Sequence, residues 1–220
     1  MTNTKSHLIQ NTLFAVFLSL FLFTSNASAK RRTRVELETN KGTIVLALYN
    51  ETPIHKDNFI KKVEEGFFNG KTFNRVIRNF MIQCGEEQVE RNLKAEILYP
   101  KYYHKRGALA MGRSGDDVEK KMETNAEQFY IVWGEVANEE KLNRADSIMY
   151  RWSYGKHHMT KKMRKYYAEN PGTPHLDGSF TVFGEVIKGL DIVGEIQMSE
   201  TDKNDRPLED VVIIQAKLTR

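Results

Sequence analysis

Residues 72–85 read TFNRVIRNFMIQCG. Apolar and polar positions alternate through this stretch, so it reads as two half-buried strands, 72–78 and 80–84, around a short turn. Arg75 stands in the middle of the first strand. An arginine there either points to water from the polar face of a sheet or is held over a pocket. The pattern alone leaves both open.

Working outward, VELET (35–39) and TIVLALY (43–49) flank Asn40-Lys41-Gly42, a hairpin turn with glycine where positive φ is wanted. Thr52, Pro53 and Gly66 bracket a helix as N-cap, first position and the residue just past the last turn. GALAMG (107–112), QFYIVW (128–133), FTVFGEVI (180–187) and VVIIQAKL (211–218) supply four more strands, and GLDIVGEI (189–196) a short amphipathic helix. Eight strands with two helices favour a mainly β fold: a closed eight-stranded antiparallel barrel capped by two helices, because closure leaves no edge exposed. A two-sheet sandwich is the alternative left open by the pattern.

Residues 138–170 break the rhythm. Leu142, Ala145, Met149 and Trp152 fall at helical spacing, and Met159, Met163 and Tyr166 or Tyr167 repeat it after Gly155. This predicts a helical hairpin inserted between two strands, with the Met and aromatic stripes as its packing faces.

The N-terminus carries an address. Lys5 gives a positive start, LFAVFLSLFLF (13–23) is an apolar core, and Ala27-Ser28-Ala29 is a small-x-small cleavage site. The apolar core is too short to cross a bilayer, which takes about 20 residues in a helix. A cleaved signal peptide over 1–29 is expected, then one domain over 30–220, exported to the periplasm or secreted, without stable membrane insertion. Cys84 is the only cysteine among 220 residues, so no internal disulfide is available and packing must supply stability. A formal net charge of +4 is too weak to argue for nucleic acid.

Common catalytic signatures are missing. His157-His158 is an adjacent doublet, and His7, His55, His104 and His175 form no metal-ligand spacing. There is no Gly-rich phosphate loop and no G-x-S-x-G elbow. No cofactor is expected. The runs FNRVIRNFMIQCG (73–85), NAEQFYIV (125–132) and HLDGSFTVFGEVIKGLDIV (175–193), with FFNGKTF (67–73), GALAMG and the closing DVVIIQAKL, resemble cyclophilin-type peptidyl-prolyl isomerases in that family's order. The resemblance covers 34–133 and 175–218, and the family fold is the closed, two-helix-capped barrel already expected.

The resemblance implies that Arg75 is the catalytic arginine and Gln83 the glutamine that orients it. It places Phe80, Met81, Tyr130 and Leu176 around the proline ring, and Gln128 against substrate backbone. Some positions depart from the family. Where it commonly has an aromatic, often tryptophan, this chain has His175, and Phe180 stands where a histidine or aromatic is usual. Gly112-Arg113-Ser114 replaces the usual Ala-Asn-Ala, whose backbone pairs with substrate. The glycine-rich loop is shortened to roughly 86–95.

The implied substrates are unfolded or extended chains containing Xaa–Pro, and a monomer is expected. The alternative is a non-catalytic chaperone or binding module for such segments. A third reading has the basic face of the insertion (Arg151, Lys156, Lys161, Lys162, Arg164, Lys165) meeting an anionic envelope surface, against the bland default of a solvated helical face.

Overall fold

The structure, a computed structural model, describes residues 31–85, 92–114 and 121–219. The expected signal peptide and most of the 86–95 loop lie outside the described residues.

The β-strands are β1 (Arg34–Thr39), β2 (Gly42–Leu48), β3 (Arg75–Ile77), β4 (Met81–Cys84), β5 (Asn92–Leu93), β6 (Ala108–Met111), β7 (Thr124–Asn125), β8 (Phe129–Val132), β9 (Val182–Lys188) and β10 (Ile213–Thr219). The helices are α1 (Pro53–Glu64), α2 (Glu139–Trp152), α3 (Lys161–Glu169) and α4 (Leu190–Ile196). Eight strands form one curled antiparallel sheet in the order β10-β1-β2-β9-β6-β8-β4-β3, and β5 pairs with β7 apart from it.

The expected closed barrel is corrected to an open one. No ladder joins β3 to β10. β3 is only three residues long, and its outer edge is occupied by a loop: Val76 N donates to Asp205 O at 2.8 Å. Upstream of both strands a single bridge, Thr72 with Val212, spans the gap.

The period-2 pattern divides the sheet into two faces. Inward residues such as Ile82, Leu109, Phe129 and Ile131 meet Phe59 and Val63 of α1 and Val193 and Ile196 of α4 in the main core. Phe129 receives Phe59 and Phe68 edge-on, with ring centroids 5.3 and 5.2 Å away. Cys84 belongs to this core, and burial pushes its thiol up to about 12. The other face carries Met81, Ala108, Ala110, Tyr130 and Val132 and packs against Leu176 and Val182.

Thr52 does precede α1, but its hydroxyl donates to Tyr49 O instead of capping. The exposed amides are taken by Glu96, which accepts from Ile54 N and His55 N at 3.1 and 3.0 Å. A carboxylate there also suits the positive end of the helix dipole.

The insertion forms the two expected helices, each with a side-chain cap: Asn138 accepts from Lys141 N and Thr160 from Met163 N. Leu142 meets Met163 and Tyr167, as the stripes predicted, but Tyr99 and Tyr103 of the body join that cluster. Tyr167 OH donates to Asp177 Oδ2 at 2.8 Å, and the same carboxylate accepts from His104 N and pairs with its ring. Gly134 and Gly172 touch at the hairpin's base, where a Cβ at 134 would lie 2.4 Å from Gly172. The insertion is fastened to the sheet, not hung from it.

Tyr167→Phe is expected to cost about 1 kcal/mol, and Asp177→Ala about 3–5 kcal/mol because it strands buried donors. Urea unfolding followed by circular dichroism measures both. Unchanged stability in the two variants would make the hairpin an appendage.

Candidate active site

Strand register answers the question posed by Arg75. It pairs across β3–β4 with Gln83, Gln83 across β4–β8 with Tyr130, and Tyr130 across β8–β6 with Ala110. Directly opposed residues share a face, so the arginine stands at the end of a row running over the outer apolar cluster. It is neither a solvated ornament nor a core residue. Its side chain is 41% exposed, at the rim of a cavity of about 340 Å³.

The eleven residues expected at the site all line this cavity: Arg75, Phe80, Met81, Gln83, Gly112, Arg113, Gln128, Tyr130, His175, Leu176 and Phe180. Met81, Tyr130 and Leu176 are almost wholly buried and form its floor, while Phe80 and Phe180 stand higher. The Arg113 guanidinium lies 4.9 Å from the Phe180 ring centroid, a cation–π contact that ties the departure at 113 to the rim.

Two polar details were not legible in the sequence. The Arg75 and Gln83 side chains face each other without a hydrogen bond; instead Arg75 Nε donates to Asp205 Oδ2 at 3.4 Å. Asp205 sits at φ 63 in a tight turn before β10, far away in sequence. On the opposite wall, a methyl group at Gly112 would lie 2.2 Å from Gln128 Oε1. Glycine there leaves the glutamine its place. Gln128 Nε2 is buried and has no partner among the described residues.

A twelfth residue lines the cavity: Trp152, the last of α2. Its ring sits 6.1 Å from His175 and 6.2 Å from Phe180. The stripe reading made Trp152 a packing residue within the hairpin, and the structure turns it toward the site. The available signal was the missing aromatic at His175. Phe80 stacks obliquely on the same His175, with centroids 5.4 Å apart. Burial first, and then the neighbouring His104 and Arg144, push His175 down to about 4. It is a neutral ring at pH 7.

Beneath the floor, His104 Nδ1 pairs with Asp177 Oδ1 at 2.8 Å, leaving Nε2 to accept from Tyr130 OH at 2.9 Å. Burial and Asp177 hold the Tyr130 phenol well above its ordinary value, so it remains an O–H donor. Among the described residues no group of three His, Cys, Asp or Glu could hold a metal ion.

An apolar socket with a permanently charged donor fork on its rim, on the outer face of a curled antiparallel sheet, is suited to holding an apolar ring and polarising the amide beside it. The profile of the family described as "Cyclophilin type peptidyl-prolyl cis-trans isomerase/CLD" matches residues 34–218. A putative peptidyl-prolyl cis-trans isomerase of Staphylococcus haemolyticus is 31% identical over 196 residues, covering 82% of this chain and 88% of that protein. One of Staphylococcus aureus is 32% identical over 197 residues, with the same coverage. A cyclophilin-type isomerase of Cryptosporidium parvum superposes with a TM-score of 0.63 at 22% identity, covering 86% of this chain and 98% of its own. The chain belongs to the cyclophilin-type peptidyl-prolyl cis-trans isomerases.

The depressed His175 has a consequence for stability. Between its ordinary value of 6.5 and about 4, the unfolded chain binds a proton that the folded chain refuses. Stability is therefore full above pH 6.5 and falls as the pH drops toward 4, by on the order of 2 kcal/mol at pH 4.5 from this group. His175→Phe should flatten that part of the profile in urea titrations at pH 7.5 and 4.5. Parallel profiles for the two proteins would remove His175 as the source.

Proposed function

We propose that this isomerase rotates Xaa–Pro bonds in exported chains that are still folding, and that Arg75 is the group that stabilises the twisted amide. The observation that carries the proposal is the placement of Arg75: Nε is tied to Asp205, and the side chain lines the apolar cavity.

The barrier to be lowered is about 18–20 kcal/mol, because rotation breaks amide resonance. In the twisted state the proline nitrogen regains a lone pair and the carbonyl oxygen is displaced. The guanidinium N–H groups donate to either atom more strongly then than in the planar ground state, which is the differential binding that accelerates a reaction. The proline ring rests among Phe80, Met81, Tyr130 and Leu176, and holding it converts free tumbling into rotation about one bond. Gln128 Nε2, a buried donor without a partner among the described residues, is the group assigned here to donate to a substrate carbonyl. No covalent bond forms or breaks.

The export reading rests on the N-terminal pattern of Lys5, the apolar 13–23 run and Ala27-Ser28-Ala29. Proline isomerisation without a catalyst takes tens of seconds, so a chain folding after export gains from help.

Arg75→Ala is expected to lower kcat/KM on an Xaa–Pro peptide by about 10²–10³, the loss of one preorganised donor. Asp205→Ala should cost less, because it frees the fork without removing it. Exchange spectroscopy on a proline peptide measures both, and equal rates for wild type and Arg75→Ala would take Arg75 out of the mechanism. Intact mass of protein recovered from an extracytoplasmic fraction should correspond to a chain beginning at Lys30; an uncut N-terminus there would contradict the signal-peptide reading.

A further inference from the structure

A second cavity, about 560 Å³, opens beside the first and shares Phe80 and His175 with it as a common wall. One side is the insertion, through Lys141, Arg144 and Ile148 of α2; the facing side is the β3–β4 turn with Arg78. Residues 172–174, leading into the 174–176 turn against which α2 packs, also line it. The cavity exists because the insertion is docked there.

Its charge is lopsided. Lys141 Nζ lies 2.6 Å from Glu135 Oε1, and these two lining charges satisfy each other. Arg78 reaches only Met198 O, at 3.5 Å, and neither it nor Arg144 has a carboxylate within ion-pair distance among the described residues. The charge of Arg144 is felt at the shared wall, where it helps to keep His175 neutral. Single surface arginines signify little. Here two line a cavity that adjoins the proline socket across the Phe80–His175 wall.

We propose that this cavity is an accessory subsite that takes an acidic side chain, aspartate or glutamate, of the same polypeptide whose proline occupies the first cavity. The proposal rests on the reading that the first cavity holds the proline. An extended chain advances about 3.3–3.6 Å per residue, and the shared wall is one aromatic pair thick. The acidic residue therefore lies a few positions from the proline. Arg78 and Arg144 offer forked donors to its carboxylate, and the insertion becomes the element that gives the isomerase its sequence preference.

The test uses the chain from residue 30 onward and a neutral Xaa–Pro peptide, with variants carrying glutamate at each of the four positions before and after the proline. Affinity is read by NMR titration and turnover by exchange spectroscopy. In at least one register Kd should fall about five- to tenfold relative to the neutral peptide, as charge-assisted pairs at a partly exposed site allow. That gain should shrink at high salt and vanish in the Arg78→Ala/Arg144→Ala double variant. No gain in any register, or a gain that survives the double variant, overturns the subsite. Turnover of the neutral peptide is a separate readout: its absence counts against the isomerase reading, while the affinity difference still decides the subsite.

Discussion

One buried carboxylate holds the site together. Asp177 is fully buried and accepts hydrogen bonds from the His104 amide and the Tyr167 hydroxyl while pairing with the His104 ring. Through His104 it fixes Tyr130 in the floor of the candidate proline socket, and through Tyr167 it anchors α3. The segment around it supplies His175, Leu176 and Phe180. A carboxylate taken out of water is tolerable only with all its partners in place, so socket floor, socket rim and insertion are positioned by one satisfied network.

The socket itself follows from strand alternation. Ile82 and Ile131 go into the core, and Met81 and Tyr130 go out to the site, because neighbours on a strand point to opposite faces. Arg75 is carried to the rim by the same rule, three strands from Ala110 in a single cross-strand row. The proposed catalysis asks little of the chain: an apolar floor, a donor fork and a fixed distance between them.

What the sequence could reveal follows from which contacts are local or periodic. The eight strands of the sheet were legible because their alternation is strong, and the hairpin because Leu142, Ala145 and Met149 keep helical spacing. Barrel closure was not, since it turned on β3 being three residues long and its edge being taken by the 205 loop. Glu96 capping α1 and Asp205 holding Arg75 are likewise pairings between residues with no shared pattern. Trp152 was visible as an apolar residue, but its direction depends on where α2 docks, and that is fixed by Tyr167 and the contact of Gly134 with Gly172. The insertion looked like an addition to a complete fold and is instead one wall of its site.

That placement can be tested through the two tryptophans of the chain, Trp133 and Trp152. Trp133 lies under Arg106, away from the socket, and Trp152 lines it. A Trp133→Phe protein therefore reports on Trp152 alone. Titration with an Xaa–Pro peptide, with saturation followed independently by NMR, should shift the emission of this protein in step with binding and leave that of Trp152→Phe unchanged. An emission from Trp152 that stays constant while the peptide saturates the protein would place the insertion outside the site.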